Sequence, residues 1–320
     1  MRIPVWLALA ACVIAPHGEA QTYPTRPVRL LIPFAPGGSV DTIGRLVGQR
    51  LHEGMGQPVV IDNRAGAGGA IAAELTAKSV PDGYTLMLAN NSTHGVNHAV
   101  TPGLKYDPVR DFTLVSLVAT APHLLLVNAT VPAKSIAELI DLAKAKPGQL
   151  RFGSGGTASQ THLAGELFRY VTGIDIVHVP YKGTGPSYTA LLSGEIQMLM
   201  SGVLGAMSHV QTGRLRALGI TGSSRSKLLP PVPTLAEQGI RNFEIGPWYA
   251  IAAPPRLPAP ILTRLHAEVV AMARNDEFRS RLSGQGAEPV GGSPAELTNT
   301  VRDEVLKWNR LAREIGLQPG

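Results

Sequence analysis

At 320 residues, with 44% hydrophobic and only 16% charged side chains, the chain is long enough for one large or two medium domains around a sizeable core, which argues against disorder. A net charge of +6 suits an acidic small molecule, nucleic acid or anionic lipid. Scattered lysines and arginines with 5% aromatics disfavour a nucleic-acid platform, and a single cysteine, Cys12, excludes a disulfide scaffold.

The chain opens Met1-Arg2, runs apolar from Ile3 to Ile14 and reaches Gly18-Glu19-Ala20, the pattern of a secretory signal peptide spanning 1–20. The apolar stretch is shorter than the roughly 20 residues a membrane span needs. Leu9-Ala10-Ala11-Cys12 resembles a lipoprotein lipobox, but the apolar run before it is very short and continues beyond it, so cleavage near Ala20 is favoured over lipidation at Cys12.

Val28–Ile32 reads as a strand, and Ile43, Leu46, Val47 and Leu51 mark a helix over Thr42–Leu51. Between them lies Pro33-Phe34-Ala35-Pro36-Gly37-Gly38-Ser39-Val40-Asp41. A strand that feeds through glycines into a helix start makes an anion cradle, because the first helical N–H groups have no intrahelical partners and the helix dipole is positive there. The alternative is a tight connection with no ligand. Asp41, at the helix start, reads as an N-cap that orients the loop rather than as a base.

Strand Val59–Ile61, helix Ile71–Ala77 and strand Thr85–Leu88 follow. Gly66–Ala70 lacks the G-x-G-x-x-G spacing, so it predicts a tight helix start and no NAD. Asn90-Asn91-Ser92-Thr93-His94 either lines a cleft or bonds its own backbone. After the apolar stretch Leu114–Val127 comes helix Ser135–Lys144, with Ser135 and Glu138 as a capping box, then strand Leu150–Gly153. The loop to helix His162–Val171 repeats the glycine-and-hydroxyl pattern. There Ser154, Thr157 and Ser159 can donate to a carboxylate, or Ser159 or Thr161 merely caps the helix.

Strand Ile174–Val179 leads into Tyr181-Lys182-Gly183-Thr184-Gly185-Pro186, at a carboxyl edge where open α/β sheets place ligands. Helix Ser187–Leu192 and strands Ile196–Met200 and Leu215–Ile220 complete this series. Leu229–Pro233 breaks regular structure. Strand Trp248–Ala253 and helices Ala259–Ala273, Glu277–Leu282 and Pro294–Ile315 follow, the last with Ser293, Pro294 and Glu296 as its start signal.

Strand–helix alternation predicts parallel sheets, an α/β fold and two lobes in tandem, with the helical tail packed back on the first. No P-loop, no G-x-S-x-G elbow around Ser154 and no H-E-x-x-H occurs, and the nine histidines lack metal-ligand spacing. No catalytic residue, metal or cofactor is therefore assigned.

Four segments carry a family likeness: Pro33–Asp41, Asn63-Arg64-Ala65-Gly66-Ala67-Gly68-Gly69, Pro81-Asp82-Gly83-Tyr84-Thr85-Leu86 and His178-Val179-Pro180-Tyr181-Lys182-Gly183. From about Tyr23 onward the chain resembles the Bug (TctC-like) extracytoplasmic solute receptors, the binding components of tripartite tricarboxylate transporters. The resemblance implies a type II periplasmic-binding-protein fold, with lobe 1 at 21–122 and 246–320 and lobe 2 at 123–245. It further implies a monomeric periplasmic receptor, not an enzyme, that closes on a small organic acid or amino acid and delivers it to membrane permease subunits; a receptor for a sensor kinase is the alternative. By match to the motifs, Phe34, Gly37, Gly38, Ser39 and Asp41 form one wall and Ser154, Thr157, Tyr181, Lys182 and Gly183 the other. Asn91 and Ser159 join them from the loop readings above.

Overall fold

The computed structural model describes residues 23–241, 243 and 245–317; the predicted signal peptide, with Cys12, lies outside them. Two sheets organise the chain. The first contains β1 (Val28–Ile32), β2 (Val59–Asn63), β3 (Thr85–Asn90), β4 (Thr113–Thr120), β10 (Trp248–Ala253) and β11 (Glu288–Pro289), in the order β11-β4-β10-β3-β1-β2. The second contains β5 (His123–Asn128), β6 (Arg151–Ser154), β7 (Val177–Pro180), β8 (Met198–Gly202) and β9 (Leu215–Ile220), in the order β7-β6-β8-β5-β9.

The expectation of parallel sheets holds for only part of each. β1 runs parallel to β2 and β3, and β6 parallel to β7 and β8. Antiparallel strands complete both sheets: β10 lies between β3 and β4 and β11 pairs with β4 at the edge, while β5 lies between β8 and β9. Alternation along the sequence reports the parallel units but not a strand inserted from far away.

The stretch Leu114–Val127 divides for a local reason. Pro122 has no N–H to continue a ladder and disfavours helix at Ala121, so β4 ends in one sheet and β5 begins in the other. The return passage repeats the device at Gly246-Pro247, just before β10. The two passages touch, since Ala121 N–H donates to the Pro247 carbonyl at 2.9 Å. A methyl on Gly246 would press on the Ala121 carbonyl oxygen at 2.6 Å, so only glycine permits this approach.

Helices cover the sheets: α1 (Ser39–Met55), α2 (Ala70–Ala77), α3 (Asn97–Val100), α4 (Ile136–Ala145), α5 (Gln160–Thr172), α6 (Thr184–Ser193), α7 (Val203–Gln211), α8 (Ala259–Arg274), α9 (Asp276–Ser283) and α10 (Pro294–Glu314). α1 presents Ile43, Val47 and Leu51, all fully buried, to Leu30, Ile32 and Leu86. The predicted start of α10 is present as a capping box between Ser293 and Glu296. Ser135 caps α4 by accepting from Glu138 N–H, but the Glu138 carboxylate reaches Lys134 N–H instead of closing the box.

The tail does pack against the first sheet: α10 lies on β4, α3 and the turn Ser92–Val96. Its anchor is a buried polar knot. Glu304 accepts from Trp308 Nε1 at 2.7 Å and from Asn91 Nδ2 at 2.8 Å, and Lys307 pairs with its other oxygen. Asn91 in turn accepts from Trp248 N–H at 2.8 Å and donates to the Gly246 carbonyl at 3.3 Å. The tail is thereby fastened to the return passage.

Candidate functional site

The loop after β1 owes its shape to side chains behind it. Asp41 accepts from Gly37 N–H, Arg45 Nε and Asn63 Nδ2, each at 3.0 Å, and Asn63 also donates to the Phe34 carbonyl at 2.9 Å. Burial alone would raise the Asp41 carboxyl; these hydrogen bonds and the Arg45 charge outweigh it and hold it below the usual carboxylate range. Asp41 is not the helix cap. The helix begins three residues earlier than the apolar spacing predicts, so Gly38 is the N-cap and Asp41 lies in the first turn.

Three more helices start at the same place. α5 is capped by Ser159, which accepts from His162 N–H at 3.2 Å; α6 starts after Gly183 and α7 after Gly202. The N-caps of α1, α6 and α7 are all glycines with no side-chain cap bond. First-turn N–H groups of α1 and α6 are therefore left for another acceptor, whereas those of Val203 and Gly205 in α7 are taken by the Pro122 carbonyl and Ser39 Oγ, and each helix adds partial positive charge.

These four starts surround one cavity. It holds about 390 Å³ of space outside protein atoms, mouth included, and Phe34, Ser39, Ser159, Thr184, Gly202 and Tyr249 are among its walls. Among the described residues no charged side chain lines it. An anion placed there would meet helix starts, hydroxyls, amides and the His123 imidazole, with no charged side chain.

The loops of the two sheets meet over the cavity. Ala35 N–H donates to the Lys182 carbonyl at 2.9 Å, Ser39 Oγ to the Gly202 carbonyl at 2.8 Å, Gly205 N–H to Ser39 Oγ at 3.1 Å, and Gln160 N–H to Ser92 Oγ at 2.9 Å. Gly37 lies opposite Gly185, and Gly183 against Phe34 and Ala35. The cleft is closed.

Of the residues expected from the sequence, Phe34, Ser39 and Ser159 line the cavity, and Gly37, Gly38 and Gly183 form the seam where the loops touch. The others lie elsewhere. Asp41 is behind its loop, and Asn91 belongs to the knot that holds α10. Ser154 is fully buried, bonded to His178 Nε2 at 2.6 Å and accepting from Gly156 N–H at 3.0 Å. Thr157 and Lys182 are exposed, and Tyr181 donates its hydroxyl to Glu195 at 2.7 Å.

Cavity residues that pattern reading passes over include His123, Gln160 and Ser201, while Asn90, Ser92 and Thr184 come from loops it singles out. For Ser201-Gly202 a signal exists, since apolar Met198–Met200 followed by a glycine and a helix repeats the opening loop. His123 had none: it lies inside an apolar run.

Three buried histidines, His94, His123 and His162, and the half-buried His178 are held neutral. Burial pushes His94 down to about 3 and His123 to about 4. His162 and His178, whose rings stack 3.9 Å apart, are pushed to about 4 and about 3, first by burial and then by Arg169 and by each other respectively. The folded values lie below the ordinary 6.5, so the unfolded chain binds more protons between the two. Stability is full above about pH 6.5 and falls as pH drops towards 4, by about 1.4 kcal/mol per pH unit for each of the three buried rings and by less for the partly solvated His178. The melting temperature is expected to fall by roughly 10 °C between pH 7 and pH 5; equal values would mean that the rings titrate normally.

The profile of the family described as tripartite tricarboxylate transporter family receptor matches residues 43–317. Protein BugT of Bordetella pertussis is 37% identical over 313 residues, covering 98% of this chain and 96% of that one. An R. palustris protein solved with adipate has a TM-score of 0.89 at 37% identity, over 92% of this chain and 98% of that one. MatC of Rhodopseudomonas palustris, solved with bound malate, has a TM-score of 0.87 at 33% identity, over 90% and 99%. The shared fold is that of periplasmic binding proteins.

Proposed function

The chain belongs to the tripartite tricarboxylate transporter family of receptors, and we propose that it works in the periplasm, capturing a small organic carboxylate between two lobes and handing it to membrane permease subunits. The observation that carries this reading is the convergence of four helix starts, three without side-chain caps, on a cavity free of charged side chains. Relatives solved with adipate and with malate support the ligand class. Residues 1–20 act as the export signal.

Lobe 1 comprises 21–122 and 246–320 and lobe 2 comprises 123–245, with the paired passages at Ala121-Pro122 and Gly246-Pro247 as the hinge. Closure brings backbone N–H groups of the Phe34–Ser39 loop to one side of the carboxylate and the starts of α5, α6 and α7 to the other. Each bond to the charged ligand is worth about 1.5–3 kcal/mol, more than a neutral one, because water is excluded as the lobes meet.

The test is a thermal-shift screen of the purified protein against mono-, di- and tricarboxylates and amino acids. At 100 times Kd a ligand adds about 2.7 kcal/mol and raises the melting temperature by several degrees. A panel in which no acid raises it would end this reading.

A further inference from the structure

Among the described residues, nine buried side-chain N and O atoms have no well-formed hydrogen bond, and three of them belong to two residues of the cavity wall: Nδ1 and Nε2 of His123 and Nε2 of Gln160; the ring lies beside the Gln160 side chain and the Ser201 backbone without good hydrogen-bond geometry to either. Both residues are rigidly held through their backbones. His123 opens β5 directly after the passage at Pro122; its N–H donates to Thr221 Oγ1 at 2.8 Å and its carbonyl accepts from Thr221 N–H at 2.9 Å. Gln160 is the first residue of α5 and donates its N–H to Ser92 Oγ across the cleft. The ring is 1% exposed and the amide residue 4% exposed.

An unsatisfied buried polar group costs about 1–3 kcal/mol. Ser39, Ser201 and Asn90, in the same wall, all have protein partners. The cost is thus concentrated on two side chains from the same lobe, one at a strand start and one at a helix start. We propose that His123 and Gln160 form a second subsite of the cleft, one that receives the second carboxylate of a dicarboxylic acid.

This rests on the carboxylate reading above and sharpens it. Backbone N–H groups at the helix starts accept any carboxylate and cannot tell one acid from another. Neutral imidazole and amide donors reached only by the far end of the ligand can. A monocarboxylic acid of equal length would press an alkyl end against them and leave them unpaired, and sites of this kind reject the analogue that lacks the polar group. Burial keeps the ring uncharged in the unliganded protein, so it offers one N–H and one acceptor nitrogen rather than a cation.

Titration calorimetry on the full protein tests this with three pairs of equal chain length: succinate and butyrate, glutarate and pentanoate, adipate and hexanoate. The unmodified protein is expected to bind at least one diacid tenfold or more tighter than its monoacid partner. His123→Leu and Gln160→Leu should each weaken that diacid at least tenfold and change the monoacid less than threefold. Equal affinity for both members of every pair would overturn the second subsite while leaving the carboxylate reading intact. Weakening of both members to the same degree would also overturn it, as a merely structural effect. Failure of all six acids to bind would remove both. Gln160→Leu carries the test if His123→Leu does not fold, because its side chain lies outside the strand core.

Discussion

Gly185→Ala is expected to weaken carboxylate binding by about 100-fold or more while leaving the unliganded protein at least as stable as before. The three atoms nearest to a methyl at this position are all backbone: the Pro36 carbonyl oxygen, which it would strike directly, and Gly37 C and Gly38 N at 3.1 Å. All three belong to the loop after β1 of the first sheet, whereas α6 lies with the second. Backbone cannot rotate aside as a side chain can, so the two loops cannot meet as they do here. A ligand then loses the donors of one wall, and two charge-assisted bonds are worth about 3 kcal/mol or more, which is 100-fold in Kd. Within α6 itself alanine is the better helix former by about 1 kcal/mol. Calorimetry paired with thermal melts separates the two effects. Unchanged affinity would mean that closure is not needed for binding.

Trp308→Ala should lower the free energy of unfolding by about 3–5 kcal/mol, the range for a large aromatic side chain removed from a core. Trp308 is fully buried, packs 3.0 Å from the position of a methyl on Gly95, and donates to Glu304. Its loss opens a cavity under α10 and leaves Glu304, 8% exposed, with one donor fewer. Denaturant titration measures the change, and a loss below about 1 kcal/mol would show that the tail contributes little to the fold. The same substitution loosens Asn91 and so the return passage at Gly246.

Much of this architecture was legible along the chain because the signals were local. Ser135, Ser159 and Ser293 announce helix starts by their own chemistry, and glycine loops after β1 and β6 mark places where backbone must come close to something. Long-range facts had no such signal. Nothing near Trp248–Ala253 says that it inserts antiparallel between β3 and β4, and α7 is apolar enough to be passed over between two strands. Within the loops, the pattern marked turns that border the cavity but not which side chain faces it: Thr184 lines the cavity where Tyr181 and Lys182 do not, and Asn90 lines it where Asn91 does not. Which way a loop side chain points depends on one or two dihedral angles that composition does not encode. His123 shows the converse, a polar ring hidden in an apolar run.

The neutrality of the cavity wall affects what other molecules experience. With no resident cation to cancel it, bound cargo contributes its whole negative charge to the complex. A form carrying an anionic ligand would therefore differ from the empty one in its electric field.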